Sequence, residues 1–245
     1  MPIERNFKVL AIVPAYNEVL AIANVLHDLE ACSHINHILV VDDGSTDGTS
    51  DVVGSFSASL IKNELNMGVG FALKLGYQYA VKNGYNFTVQ FDADGQHKSS
   101  EIYKLFEVID NSDIVLGSRF SSENQMGGDY IISKFRYRGI FFLNSLTSKY
   151  IGIPLSDSTS GFRLCNERAI KVFSERMPDY YLGDTIESLF IAKNAGLKIV
   201  EQSISMDNRK LGKPSHSVFK SFLRYNFLLL NLIKYFIRRN LTKQD

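Results

Sequence analysis

This 245-residue chain has little of several things, and each shortage excludes a class of protein. It holds only two cysteines, Cys32 and Cys165, far apart in sequence. That rules out a disulfide scaffold and leaves no cysteine zinc site, and two lone thiols suit a reducing cytosol. Charge of either sign is not in excess: 27 Lys and Arg stand against 26 Asp and Glu, a net charge of +1. General nucleic-acid binders bring a large basic excess, so no nucleic-acid partner is expected. A near-zero net charge with 45% hydrophobic residues also argues against disorder. No uncharged run reaches the ~18 residues of a membrane-spanning helix. The opening MPIERNFKVLAIVPAYNE lacks a charged-then-apolar leader with a small-residue cleavage site, so secretion is not expected. No repeat, low-complexity tract or linker interrupts the chain, and the length suits one α/β domain with a C-terminal appendage.

What is present is an alternation of apolar runs and amphipathic stretches. Strands are predicted at 8–13, 35–41, 60–62, 86–91, 113–117 and 197–206, with helices at 17–31, 46–56, 68–83, 99–109, 133–153 and 184–195. Asn83-Gly84 is a good helix stop. Residues 121–132 read as a mobile loop, 156–163 as a polar loop and 208–217 as a basic loop. The 133–153 helix carries Lys134, Arg136, Arg138 and Lys149 and no acid. Strands alternating with helices predict a Rossmann-like α/β domain, a mostly parallel sheet with helices on both faces. Ligands of such sheets sit beyond the carboxyl ends of the strands, and each polar cluster below follows a predicted strand.

Asp92-Ala93-Asp94-Gly95-Gln96-His97 is the strongest local signal. On a strand, residues i and i+2 share a face, so Asp92 and Asp94 would aim together. With the Gln96 amide oxygen they form an incomplete hard-oxygen set suited to Mg²⁺ or Mn²⁺, completed by phosphate oxygens and water. The same residues could equally form a solvated acidic turn. Pro14-Ala15-Tyr16-Asn17-Glu18 offers a fixed strand exit, a ring to stack on a base and a carboxylate for a ribose or base N–H. Asn17 also suits a helix cap. In Asp42-Asp43-Gly44-Ser45-Thr46, one Asp can accept from a nucleoside, while Ser45 or Thr46 can cap the next helix. Residues 66–72, NMGVGFA, do not make a dinucleotide fingerprint, because the third glycine position is Leu73. A helix N-terminus near a diphosphate remains available there.

Taken in order, PAYNE (14–18), VVDDGSTDGT (40–49), NMGVGFA (66–72), DADGQH (92–97) and GSRF (117–120) resemble glycosyltransferase family 2. The second half, with DSTSGFR (157–163), Glu187 and an Arg-x-x-Gly loop (209–212), resembles its dolichol-phosphate-mannose-synthase-like branch. The resemblance spans about residues 8 to 237. It implies a nucleotide-sugar (GT-A) fold and a metal-dependent, inverting transfer of a sugar from a GDP-, UDP- or dTDP-sugar. The implied acceptor is a polyprenyl phosphate or lipid-linked glycan. Pro14, Tyr16, Glu18 and Asp42 or Asp43 would hold the nucleoside. Asp92, Ala93 and Asp94 would line the diphosphate, with the metal on Asp92, Asp94 and Gln96. Arg119 and Arg209 would supply positive charge to phosphates.

Two departures bear on the acceptor. The loop reads Gly212-Lys213-Pro214-Ser215-His216 where that branch usually has Gly-x-Ser-Lys, and Asp184 stands where it is usually apolar. A sugar-hydroxyl acceptor would need a general base, for which Asp157 and Asp184 are the candidates. Asp157 also suits a turn and Asp184 a helix N-cap. A nucleotide-sugar-binding scaffold without turnover is the reading of another class, and the intact Asp92, Asp94, Gln96 and Arg209 argue against it.

The near-zero net charge is a cancellation. Residues 206–245 hold nine Lys and Arg and two Asp, whereas residues 1–205 hold 18 Lys and Arg and 24 Asp and Glu. In the tail, Lys220, Arg224, Asn231, Lys234 and Arg238 fall on one helical stripe among apolar residues. This divides the chain into a catalytic domain, 1–216, and a basic amphipathic helix, 217–245. The helix suits peripheral contact with the inner face of a cell membrane from the cytoplasm, or a contact between copies of the chain.

Overall fold

A long run of apolar residues cannot stay in water, and the first strand is the clearest case. β1 (Val9–Ala15) is buried along nearly its whole length. It pairs in parallel with β2 (His37–Asp42) on one side and β4 (Phe87–Gln90) on the other. A computed structural model describes residues 7–120, 134–178, 183–209 and 211, with side chains for all but 134–138 and 183. All of these lie in the first of the chain's two units, 1–212. The predicted 121–132 loop, most of the 208–217 loop and the 217–245 helix fall outside the described residues.

The sheet has seven strands in the order β3-β2-β1-β4-β6-β5-β7, with β3 (Ala58–Lys62), β5 (Ile114–Ser118), β6 (Arg163–Asn166) and β7 (Ile199–Ser203). Four of the six pairings are parallel, and β6 runs antiparallel to both β4 and β5. From β1 the chain first builds outward through β2 and β3, then returns to place β4 on the other side of β1. That reversal opens a crevice between the carboxyl ends of β1 and β4.

Helices cover both faces. α1 (Ile22–Glu30) buries Ile22, Val25, Leu26 and Leu29, the i, i+3, i+4, i+7 stripe that a sheet-packed helix needs. With α2 (Thr49–Val53) and α4 (Ile102–Phe106) it joins a core containing Val9, Ala11 and Val13. On the opposite face, α3 (Val69–Lys82) packs so close to β1 that a Cβ on Gly76 would lie 2.4 Å from Ile12 Cγ2. Tyr77 of α3 meets Phe173 of α6 (Glu167–Arg176), ring centroids 5.2 Å apart. α5 (Lys134–Ile151) meets α7 (Ser188–Asn194) through Tyr150 and Phe190.

Some predicted elements are corrected. The 17–31 helix begins only at Ile22, because Asn17 adopts a left-handed conformation, φ 56°. The 99–109 helix divides into a 3₁₀ turn (Ser99–Glu101), α4 and a second 3₁₀ turn (Ile109–Asn111). The 184–195 helix opens with a π-helical turn (Gly183–Glu187), so Asp184 lies inside that turn instead of capping α7. β6 was not expected at all: four residues reading Arg-Leu-Cys-Asn carry neither the length nor the alternation of a strand.

Candidate active site

The crevice is built from loops that leave the strands. After β1, the Asn17 N–H donates to Ser45 Oγ (2.9 Å), and Asn17 Oδ1 accepts from the Thr46 N–H (2.9 Å). The Glu18 N–H donates to Thr49 Oγ1 (3.0 Å), while the Glu18 carbonyl accepts from Ala21 and Ile22 and starts α1. Asn17 is therefore a link between loops and not the helix cap its position suggested. The N-cap position of α2 is Gly48, and the turn into the helix is held by Asp47, whose Oδ1 accepts from the Thr49 N–H (3.0 Å), and not by Ser45 or Thr46. Pro14 and Tyr16 stand half-buried on this ledge.

Both aspartates after β2 face inward. Asp42 accepts from the Ser45 N–H (2.8 Å) and from the Ser50 hydroxyl. Asp43 accepts from Asn63 Nδ2 (2.9 Å), Met67 N–H (3.0 Å) and Gly68 N–H (2.7 Å), and so anchors the loop that opens α3. A nucleoside donating to either carboxylate would compete with these bonds.

Beyond β4 lie Asp92 and Asp94. The strand ends at Gln90, so it is a tight turn through Gly95 (φ 75°), and not strand alternation, that brings Asp92 and Asp94 together. The Asp92 side chain keeps 39% of its surface accessible, yet protein surrounds it closely. That burial raises its pKa, while Arg119, Gln90 and Arg163 pull it back. Asp94 is raised by burial first and by the Asp92 charge second, against His97, the Gln96 N–H and Arg209. Gly161 closes over Asp92, since a Cβ there would sit 2.9 Å from Asp92 Oδ2 and 3.1 Å from Oδ1. Gln96 donates its N–H to Asp94 Oδ1 (3.1 Å) and its side-chain Nε2 to the Asp207 carbonyl (3.3 Å). Two mutually repelling carboxylates in a close-fitting cradle are a donor set that fits a small hard cation.

His97 is buried behind them. Its Nδ1 accepts from the Asp92 N–H (3.0 Å), and its ring stacks on Phe162 and meets Phe91 edge-on. Burial lowers its pKa to about 4, so the ring is neutral at pH 7. An unfolded histidine takes up a proton near pH ~6.5, whereas this one does so only near its lowered value. Its contribution to stability is therefore complete above pH ~6.5 and is lost as the pH falls toward 4, by about 3 kcal/mol. The raised carboxylates Asp92, Asp94, Glu18 and Glu201 act in the opposite sense on acidification. Comparison with a His97→Asn variant isolates the histidine. In urea unfolding, the wild-type advantage over His97→Asn should shrink by about 2–3 kcal/mol between pH 6.5 and 4. A constant gap would mean that the ring charges inside the fold.

Two arginines frame the carboxylates. Arg119 grips Asp157 through Nε (2.5 Å) and Nη2 (2.7 Å), and Nη2 also donates to Thr159 Oγ1 (3.0 Å). Asp157 has no accessible surface, and both of its oxygens are engaged with this guanidinium. Glu201 on β7 fixes the loop from below by accepting from the Ser156 and Asp157 N–H groups. Arg209 Nη2 donates to both carboxylate oxygens of Glu18 (2.6 and 2.5 Å), and its Nη1 stands 3.6 Å from Asp94 Oδ2. It thus joins the loops after β1 and β4. Glu18 is raised by burial and pulled back by Arg209.

A third arginine completes the frame. Arg163 is 1% exposed, and burial lowers its pKa against the opposing charges of Asp184 and Asp157. It donates to the carbonyls of Ser160 (3.0 Å), Asp184 (2.8 Å) and Thr185 (2.9 Å) and to Ser188 Oγ (2.6 Å). Asp184, itself 6% exposed, is held through its backbone by this arginine. Gly161 and Arg163 both stand in the 157–163 motif, yet motif chemistry alone assigns neither a role. The cue for Gly161 was a glycine followed by an aromatic beside an expected ligand loop. Glu201 had no cue.

A mostly parallel sheet with a switch-point crevice, an aspartate pair at its mouth and flanking arginines define a glycosyltransferase of the GT-A class, which takes its sugar from a nucleotide sugar. Glycosyl transferase family 2 matches residues 10–173, and the chain belongs to this family. It is 33% identical over 212 residues to the UDP-N-acetylglucosamine–dolichyl-phosphate N-acetylglucosaminyltransferase of Methanococcus voltae, covering 79% of this chain and 83% of that one. It is 30% identical over 219 residues to the undecaprenyl-phosphate mannosyltransferase of Micrococcus luteus, covering 86% and 88%. Among solved structures it resembles glucosyl-3-phosphoglycerate synthase from Mycobacterium tuberculosis in complex with Mn²⁺ and UDP-glucose. That likeness has a TM-score of 0.66 at 15% identity and covers 94% of this chain and 79% of that one. The last likeness speaks for the fold.

Proposed function

We propose that this enzyme moves a sugar from a nucleotide sugar to a lipid-linked acceptor, a polyprenyl phosphate or lipid-linked glycan, with inversion at the anomeric carbon. The observation that carries the reading is the Asp92–Asp94 pair flanked by Arg119 and Arg209, one site that suits both a cation and phosphates. The acceptor class is supported by the relatives named for dolichyl phosphate and undecaprenyl phosphate.

Pro14, Tyr16 and Glu18 hold the nucleoside, on a ledge shaped by Asp42 and Asp43. Asp92 and Asp94, with Gln96, would hold Mg²⁺ or Mn²⁺, and Ala93 lines the diphosphate between them. A divalent cation bound there supplies Lewis-acid stabilisation of the charge on the departing diphosphate. Arg209 adds its charge on the same side, and Arg119, held in place by Asp157, adds its positive charge near Asp92. The acceptor oxygen forms a bond to the anomeric carbon as the bond to the diphosphate breaks. A phosphate acceptor is already anionic at pH 7, its second pKa being near ~6, so no protein base is required. For a hydroxyl acceptor, the second reading, Asp184 is the better base, because Asp157 is committed to Arg119.

Residues 217–245 serve as the peripheral membrane contact on the cytoplasmic side, with contact between copies of the chain as the competing role. Among the described residues no helix is long and apolar enough to cross a membrane.

The test has two stages. A thermal-shift screen of GDP, UDP and dTDP with Mn²⁺ selects the nucleotide, and the matching labelled nucleotide sugars are then incubated with polyprenyl phosphate. Mn²⁺-dependent label in the organic phase is the expected result. Transfer only to soluble sugars would overturn the lipid acceptor, and binding without any turnover would leave a scaffold.

A further inference from the structure

The segment after β7 is fastened to the loop that carries the aspartate pair. The Ser205 N–H donates to Glu101 Oε2 (2.8 Å), and the Asp207 N–H donates to the Gln96 carbonyl (2.9 Å). Gln96 Nε2 returns a bond to the Asp207 carbonyl (3.3 Å), and Lys98 Nζ pairs with Asp207 Oδ1 (2.7 Å). Two residues further along, Arg209 reaches Glu18 and Asp94. Alternate residues, 205, 207 and 209, thus face one loop, and the last of them faces the crevice. Arg209 Nε also donates to the Leu211 carbonyl (3.0 Å), and the fastenings at 205 and 207 fix the backbone from which its side chain enters.

We propose that Lys98 and Asp207, with Gln96, are positioning residues that set Arg209 against the donor diphosphate and couple its placement to the aspartate loop. This rests on the donor-side role of Arg209 given above. Lys98 and Asp207 keep 37% and 32% of their side-chain surface, and exposed pairs of this kind add little to stability. A loss of geometry should therefore appear in kinetics and not in melting. Misplacing a group that contacts substrate by about 1 Å costs up to about a hundredfold.

The test is a double-mutant cycle on the full chain. Lys98→Met and Asp207→Ala are each made alone and in an Arg209→Ala background. Donor KM and kcat are measured with Mn²⁺, Mn²⁺ affinity by electron paramagnetic resonance of the free ion, and melting temperature alongside. Each single variant should raise donor KM by about tenfold. Mn²⁺ affinity should stay within about twofold and melting within about 2 °C. Lys98→Arg should restore the wild-type KM. In the Arg209→Ala background neither change should add anything. Unchanged donor KM in the single variants, or full additivity with Arg209→Ala, overturns the inference alone. An Arg209→Ala enzyme that binds and turns over donor normally overturns the donor-side reading of Arg209 and this inference with it.

Discussion

An Arg163→Met variant should lose about 3–5 kcal/mol of stability, the largest single loss expected in the described part of the chain. The methionine fills much of the same space, so the effect is electrical and not a matter of volume. The guanidinium is fully buried, and it satisfies the carbonyls of Ser160, Asp184 and Thr185 at once. Each carbonyl left without its donor costs about 1–3 kcal/mol. Removing one partner from a buried charge cluster costs about 3–5 kcal/mol in all. For a domain whose whole margin is about 5–15 kcal/mol, this is a large fraction. It should lower the melting temperature by about 10 °C in a chain of this size. Turnover should fall as well, because the 156–163 loop, which carries the Arg119 partner Asp157 and sets Gly161 against Asp92, loses its tie to the π-helical turn. A loss below about 1 kcal/mol in urea unfolding would show that other contacts hold that turn.

The largest effect on activity is expected at Asp92 and Asp94. Asp→Asn at either position keeps the shape and removes a charge. Turnover at saturating donor and Mn²⁺ should fall by at least about 10²–10³-fold, the scale seen when one electrostatic contact to a developing charge is removed. Gly161→Ala probes the same pair from above. Its Cβ would meet Asp92 Oδ2 at 2.9 Å, Oδ1 at 3.1 Å and Gln90 Nε2 at 3.2 Å, so the carboxylate must turn away. Mn²⁺ affinity should drop by about 10–100-fold, as for other groups that orient a metal ligand, and titration with Mn²⁺ reads it directly. Full activity in Asp92→Asn without added metal would remove the cation from the proposed reaction.

Much of this architecture is visible in local sequence. β1, β2 and β5 are apolar runs, β4 alternates Phe87 and Val89 with Thr88 and Gln90, and α1 shows its buried stripe at helical spacing. The misses share a cause. Asn17 and Asp184 look like caps because a cap is judged on neighbours in sequence. Asn17 instead turns left-handed to meet Ser45 and Thr46, and Asp184 sits in a turn held by Arg163 from another strand. β6 is legible only once β4 and β5 stand on either side of it, since its four residues gain their strand form from the ladders they make.

The sequence by itself determined the α/β class, the order of the polar clusters beyond the strands and the family they belong to. It also named both members of the Arg119–Asp157 and Glu18–Arg209 pairs, though not Lys98 and Asp207. Which residue meets which was decided by the tertiary structure alone. Arg119 and Asp157 are 38 positions apart, and Glu18 and Arg209 are 191 apart. Periodicity and motif chemistry operate over a few residues and are written in local order. A charge placed in a cleft instead takes the partner that the folded backbone brings within about 3 Å, and no spacing rule encodes that distance.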